Sequence, residues 1–137
     1  MHLTNEQLLQ QALEARKRAY VPYSGFAVGS ALLDADGNVH LGCNVENGAY
    51  GPTNCAERTA LFRAVADGAR RGEFQAIAVV ADSVGPCSPC GVCRQVMSEL
   101  CPPDMPVIMS NLRGETRIMT VSELLPGAFV LEGTDQG

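Results

Sequence analysis

Gln75-Ala76-Ile77-Ala78-Val79-Val80-Ala81 is a near-continuous apolar run with a β-branched centre. This is the pattern of a central strand buried on both faces, and such a strand requires helices above and below its sheet. Working towards the N-terminus, Cys55 opens a helix whose Ala60, Leu61, Ala64 and Val65 form one buried stripe ending near Gly68. Asn44 to Asn54, with its glycines, asparagines and proline, reads as a loop leading into that helix. Phe26 to Leu33 and Val39 to Val45 flank the turn sequence Asp34-Ala35-Asp36-Gly37-Asn38 and read as a hairpin. Thr4-Asn5-Glu6-Gln7 matches a capping box and starts a first helix over about residues 4 to 20, beyond which Pro22 forbids helix.

Towards the C-terminus, Ser83 to Pro89 is a loop, and the Pro89-Cys90 turn starts a third helix that continues through Gln95 to Leu100 until Pro102-Pro103. Pro106 to Ser110 and Arg117 to Val121 read as two more strands about a turn at Asn111 to Glu115, and Ser122 to Leu125 as a short helical turn. The order α-β-β-α-β-α-β-β predicts an α/β fold: a three-layer α/β/α sandwich on a mixed five-stranded sheet, forming a single domain over residues 1–137.

With 137 residues, 46% of them apolar, the chain can fill one core. Only 18% of residues are charged and the net charge is -5, so no basic field attracts a phosphate backbone and nucleic acid is not expected as a partner. A membrane span needs about 20 consecutive apolar residues, and none occurs. The start Met1-His2-Leu3-Thr4 also lacks a charged region followed by an apolar one, so a cytoplasmic protein is expected. In that reducing compartment the six cysteines should be free thiols, and metal binding is their better use. Cys43, Cys87 and Cys101 are scattered singly and read as small buried apolar residues. Cys87 stands nearest the motif and, were it to bind the metal as well, would close the site.

Cys55-Ala56-Glu57 and Pro89-Cys90-Gly91-Val92-Cys93 supply three thiolates, one short of a closed structural zinc site, so a fourth position is left for water. Cys90 and Cys93 lie on one face of a first helical turn, and all three cysteines sit at helix starts, where the positive end of the dipole favours thiolate. Zn²⁺, one ion per subunit, suits this soft and redox-inert set. Three thiolates overcompensate the ion, and Arg58 is the cation available to hydrogen-bond the sulfurs, with Arg94 as a second candidate; either could instead pair with surface carboxylates. Glu57 can lean over the open position and handle protons there; alternatively it is a solvated carboxylate that merely favours the helix dipole.

These residues resemble the zinc-dependent nucleoside and nucleobase deaminases, whose signature joins a ligand, one residue, a glutamate and then Pro-Cys-x-x-Cys. Val21-Pro22-Tyr23-Ser24-x-Phe26-x-Val28-Gly29, Gly42-Cys43-Asn44-Val45-Glu46-Asn47, Asn54-Cys55-Ala56-Glu57-Arg58-Thr59-Ala60, Ser88-Pro89-Cys90-Gly91-x-Cys93-Arg94-Gln95 and Leu124-Leu125-Pro126-Gly127-x-Phe129 extend the resemblance over nearly the whole chain. The chain is similar to the small, homotetrameric, three-cysteine branch of the cytidine/deoxycytidylate deaminase family. That resemblance implies hydrolysis of cytidine and deoxycytidine to uridine and deoxyuridine in pyrimidine salvage. Glu57 then takes a proton from the attacking water and delivers it to N3 and to the departing amine. It further implies that the backbone groups of Ala56 and Ser88 meet the pyrimidine edge and that Asn44 and Glu46 hold the ribose 3′-hydroxyl. Phe26 packs at the base, and Phe129 reaches into a neighbouring subunit's site; both aromatics could otherwise be core or interface filler. Tyr50 lies in the loop leading to Cys55, and the two histidines, His2 and His40, have no catalytic part. The rival activities are deamination of a modified cytosine nucleoside such as blasticidin and nucleoside binding without turnover on a zinc-stabilised module.

Overall fold

Alternate residues of Phe74–Ala81 (β3) serve two different cores. In the computed structural model, which describes residues 3–131 and so leaves His2 outside the described residues, Ile77, Val79 and Ala81 pack with Leu61 and Met97 on one face. Ala76, Ala78 and Val80 pack with Leu8 and Ala12 on the other. Burying side chains such as Leu61 and Ile77, both at 0% exposure, contributes about 1.5–3 kcal/mol each. The remaining elements are α1 (Asn5–Arg16), β1 (Val28–Asp34), β2 (Val39–Cys43), α2 (Ala56–Ala66), α3 (Gly91–Leu100), β4 (Pro106–Asn111), β5 (Thr116–Thr120) and α4 (Val121–Leu124). The predicted three-layer sandwich is the observed one, with α1 below the sheet and α2, α3 and α4 above it.

The strand order is β2-β1-β3-β4-β5, with β3 and β4 parallel and the other pairs antiparallel. This arrangement positions the site. Because β1 is antiparallel to both β2 and β3, those two strands run in the same direction, and Cys43 and Ala81 end opposite Gly29 and Val28 at the start of β1. The loops after β2 and β3 therefore leave the same end of the sheet, so α2 and α3 both begin there.

Two glycines let the helices approach the sheet. A Cβ on Gly42 would meet the Ala56 carbonyl at 2.2 Å, and one on Gly29 would meet the Ala12 carbonyl at 1.9 Å. Element boundaries differ from expectation mainly where tertiary contacts override local pattern. The first helix ends at Arg16 rather than near residue 20, because Tyr20 is drawn into a bridge with Val45 and the Arg16 side chain turns to the Ala27 carbonyl. The second strand stops at Cys43, since Val45 bridges Tyr20 and Asn54 instead of β1. The Thr4 capping box is formed as expected. A second one, Thr120 to Glu123, starts α4.

Candidate metal centre and active site

Cys55 is the N-cap of α2, and Cys90 is the N-cap of α3. Both have extended backbone, which carries the side chain clear of the helix while the first turn's amide groups point outward. Cys93 lies one turn into α3, and its amide donates to the Cys90 sulfur at 3.5 Å. The Cys55 and Cys90 sulfurs are 3.5 Å apart, and all three lie within 4.8 Å of one another. Tetrahedral zinc with Zn–S of about 2.3 Å requires sulfurs about 3.8 Å apart, so the three thiolates fit the ion. The Cys87 sulfur is not a member of this cluster. Burial first, then the charges of Glu57 and Cys55, pushes its thiol up to about 12. None of the six cysteines is disulfide-bonded, as expected.

The sulfurs lie within hydrogen-bonding distance of one another. The hydrogen bond with Cys93 comes first and, with those from Arg58 and Cys90, outweighs burial and draws Cys55 down to about 5. The same bond, reinforced by burial, pushes Cys93 up. Arg58 donates from Nη2 to the Cys55 sulfur at 3.2 Å, the contact expected from sequence. Burial opposes its charge, but the bonds to Cys55 and Cys93 hold it protonated, and its buried Nε has no hydrogen-bond partner among the described residues.

Glu57 is only 3% exposed, so it is not the solvated helix-start carboxylate. Burial first, and then the neighbouring Cys55 charge, pushes its carboxyl up to about 7. Ala56, fully buried, precedes it at the first position of α2.

Asn44 and Glu46 lie beyond the end of β2 and both bond the segment from Tyr23 to Val28. The Asn44 amide donates to the Phe26 carbonyl at 2.8 Å and its oxygen accepts from the Val28 amide at 2.9 Å. Glu46 accepts from the amides of Tyr23 and Ser24 at 3.0 and 3.1 Å and from the Ser24 hydroxyl. These bonds hold its carboxyl below the usual range, the Ser24 hydroxyl first. A cleft of about 380 Å³ opens beside Glu46, lined also by Tyr23, Asn47, Tyr50 and Thr53. Phe26 is 42% exposed at this end of the sheet, and Phe129 is 67% exposed.

The family described as cytidine and deoxycytidylate deaminase zinc-binding region matches residues 3–109. The chain belongs to the cytidine and deoxycytidylate deaminase family. Cytidine deaminases of Sporosarcina psychrophila and Halalkalibacterium halodurans are 58% and 57% identical to it over 127 and 130 residues. The matched stretches are 93% and 95% of this chain and 92% and 97% of theirs. The crystal structure of cytidine deaminase from Burkholderia pseudomallei matches with a TM-score of 0.91 at 54% identity, over 93% of this chain and all (100%) of that one.

Two residues in this deaminase family member do what the sequence did not reveal. The Ser24 hydroxyl donates to Glu46 while accepting from the Phe26 amide at 3.0 Å, which ties the acid to the aromatic. Arg94 was a candidate for bonding the sulfurs but bonds Ser88, Pro89 and Leu124 instead. A local pattern gives no sign of either, because Ser24 and Arg94 each bond one partner distant in sequence, Glu46 and Leu124.

Proposed function

We propose that this chain hydrolyses cytidine and deoxycytidine to uridine and deoxyuridine with release of ammonia, a step of pyrimidine salvage. The observation that carries the proposal is the buried carboxylate of Glu57 next to a cluster of three sulfurs from two helix starts. Zinc held by Cys55, Cys90 and Cys93 supplies, when bound, a Lewis acid that makes water a nucleophile near neutral pH. Glu57 accepts a proton from the attacking water and passes it to N3 as oxygen adds to C4. It then carries the second proton to the exocyclic amine, and the C4–N bond breaks. One water enters and one ammonia leaves. Arg58 offsets the thiolate charge, so the centre does not become too anionic to polarise water.

The backbone groups of Ala56 and Ser88 meet the pyrimidine edge, Phe26 packs on the ring, and Asn44 and Glu46 hold the ribose 3′-hydroxyl. Phe129 completes a neighbouring subunit's site in a homotetramer of single deaminase domains, each spanning residues 1–137. Support for assembly comes from an apolar groove of about 510 Å³ between α2 and α3, lined by Phe62, Val65, Val96 and Leu100. The protein works in the cytoplasm on a small nucleoside, without nucleic acid or membrane partners; no described helix is long and apolar enough to cross a membrane.

The test is the ultraviolet absorbance of cytidine mixed with the protein, read with ammonia release. One ammonia per cytidine consumed, abolished by a zinc chelator and restored by zinc, is expected. Unchanged cytidine in the presence of zinc-loaded protein would refute the proposal.

A further inference from the structure

Arg94 stands directly after a ligand cysteine, in the first turn of α3, where the helix dipole disfavours a cation. Neither the Lys17–Glu14 ion pair nor the His40–Asp34 contact involves Arg94. Its guanidinium is instead spread over three neutral acceptors. Nε donates to the Pro89 carbonyl at 2.9 Å, Nη1 to the Leu124 carbonyl at 2.9 Å, and Nη2 to the Ser88 hydroxyl at 2.6 Å. Ser88 and Pro89 are the two residues before Cys90. Leu124 ends α4, and its carbonyl lacks a partner within that helix. One planar fork thus joins the loop entering the metal centre to the point where the chain leaves for Phe129. None of these three bonds goes to a cysteine sulfur or to Glu57.

We infer that Arg94 is a positioning residue that holds the Ser88–Pro89 backbone against the end of α4, in register with the pyrimidine edge. The inference rests on the reading of Ser88 as a substrate contact. The rest of the loop is anchored before this point, where the Cys87 amide donates to the Ser110 carbonyl at 3.1 Å. Ser88 is exposed between half-buried Cys87 and buried Pro89, so its hydroxyl is held by the fork rather than by packing. A lysine keeps the charge but cannot reproduce three divergent bonds from one ammonium. A cleft of about 230 Å³, lined by Pro86, Ser88, Met109, Arg117, Met119 and Leu124, borders the guanidinium and gives a small cation access to its place.

The experiment compares the parent with Arg94→Ala, Arg94→Lys and Arg94→Gln for zinc content, melting temperature, cytidine kinetics and hydrogen exchange of residues 83–89. Contacts made equally in ground and transition states appear in KM. Arg94→Ala should keep one zinc and raise KM roughly tenfold or more, with kcat nearly unchanged. Exchange in residues 83–89 should quicken while residues 56–66 stay protected. Lysine should not restore KM, and millimolar guanidinium added to Arg94→Ala should lower it without affecting the parent. Parental KM with only a lowered melting temperature would overturn the inference, as would zinc loss that accounts for the lost activity or full rescue by lysine. If the alanine variant fails to fold, Arg94→Gln carries the same reading. A parent that leaves cytidine unchanged refutes the deaminase reading instead, and the exchange comparison still decides whether Arg94 holds the loop.

Discussion

Gly42→Ala places one methyl group between β2 and the helix that carries Cys55, Glu57 and Arg58. The added Cβ would lie 2.2 Å from the Ala56 carbonyl oxygen, 2.5 Å from the Ala60 amide and 2.9 Å from the Ala60 Cβ. Two of these are backbone atoms, so no rotamer change relieves the contact. Restoring van der Waals separation needs a displacement of about 1 Å between strand and helix. Metal ligation tolerates about 0.2 Å, so a shift of that size also moves the Cys55 sulfur out of reach of the geometry it shares with Cys90 and Cys93. The expected cost is about 3 kcal/mol, or roughly 10 °C in melting temperature for a domain of this size. Differential scanning calorimetry and a chelator competition for zinc should therefore show both losses together. Gly29→Ala supplies the contrast, since its Cβ meets the Ala12 carbonyl of α1 at 1.9 Å on the opposite side of the sheet. That variant should lose comparable stability while its folded fraction keeps parental zinc affinity. Gly51→Ala, with nothing within 4 Å, should change neither. A Gly42→Ala protein with parental melting temperature and zinc affinity would refute the close-approach argument.

Arg58→Gln should weaken zinc binding roughly 10- to 100-fold, measured by competition with a chromophoric chelator; unaltered affinity would remove Arg58 from the centre. Ser24→Ala breaks the link between Glu46 and the Phe26 amide and should raise the KM for cytidine roughly tenfold with little change in kcat or melting temperature. A parental KM would show that the hydroxyl orders nothing the substrate needs. Burial pushes the Asp34 carboxyl up, but hydrogen bonds from His40 and from the amides of Asn38 and Asp36 outweigh it and hold the carboxyl below its ordinary value. Its contribution to stability is thus complete above the unfolded aspartate pKa and is lost as pH falls through the lower folded value. Melting temperature against pH should fall more steeply in acid for the parent than for Asp34→Asn; parallel curves would contradict this.

The sheet and its two helical layers were legible because β3 is apolar on both faces and α2 carries one apolar stripe. Periodicity reports burial directly. The cluster of three cysteines beside Glu57 was legible for a different reason, since Cys55 and Glu57, and Cys90 and Cys93, are each local in sequence and sit at a helix start. What the sequence hid was long-range. Arg16 bonding the Ala27 carbonyl, Val45 bridging Tyr20 and Asn54, and Arg94 reaching Leu124 all depend on the sheet bringing distant segments together. Asn44 and Glu46 were paired by the resemblance alone, since their own stretch reads as a loop. That they grip the Tyr23 to Val28 segment follows only from β1 starting where β2 ends.

Glu57→Gln tests the proton-shuttle role of the buried carboxylate most directly. The amide preserves size and burial beside the sulfurs but cannot accept the proton from water. Zinc content by atomic absorption, nucleoside binding by calorimetry and cytidine turnover should be measured on the same preparation. Parental zinc and retained nucleoside binding, with turnover reduced roughly 10²- to 10⁴-fold or more, is the expected result. Turnover within a few-fold of the parent at full zinc occupancy would contradict it.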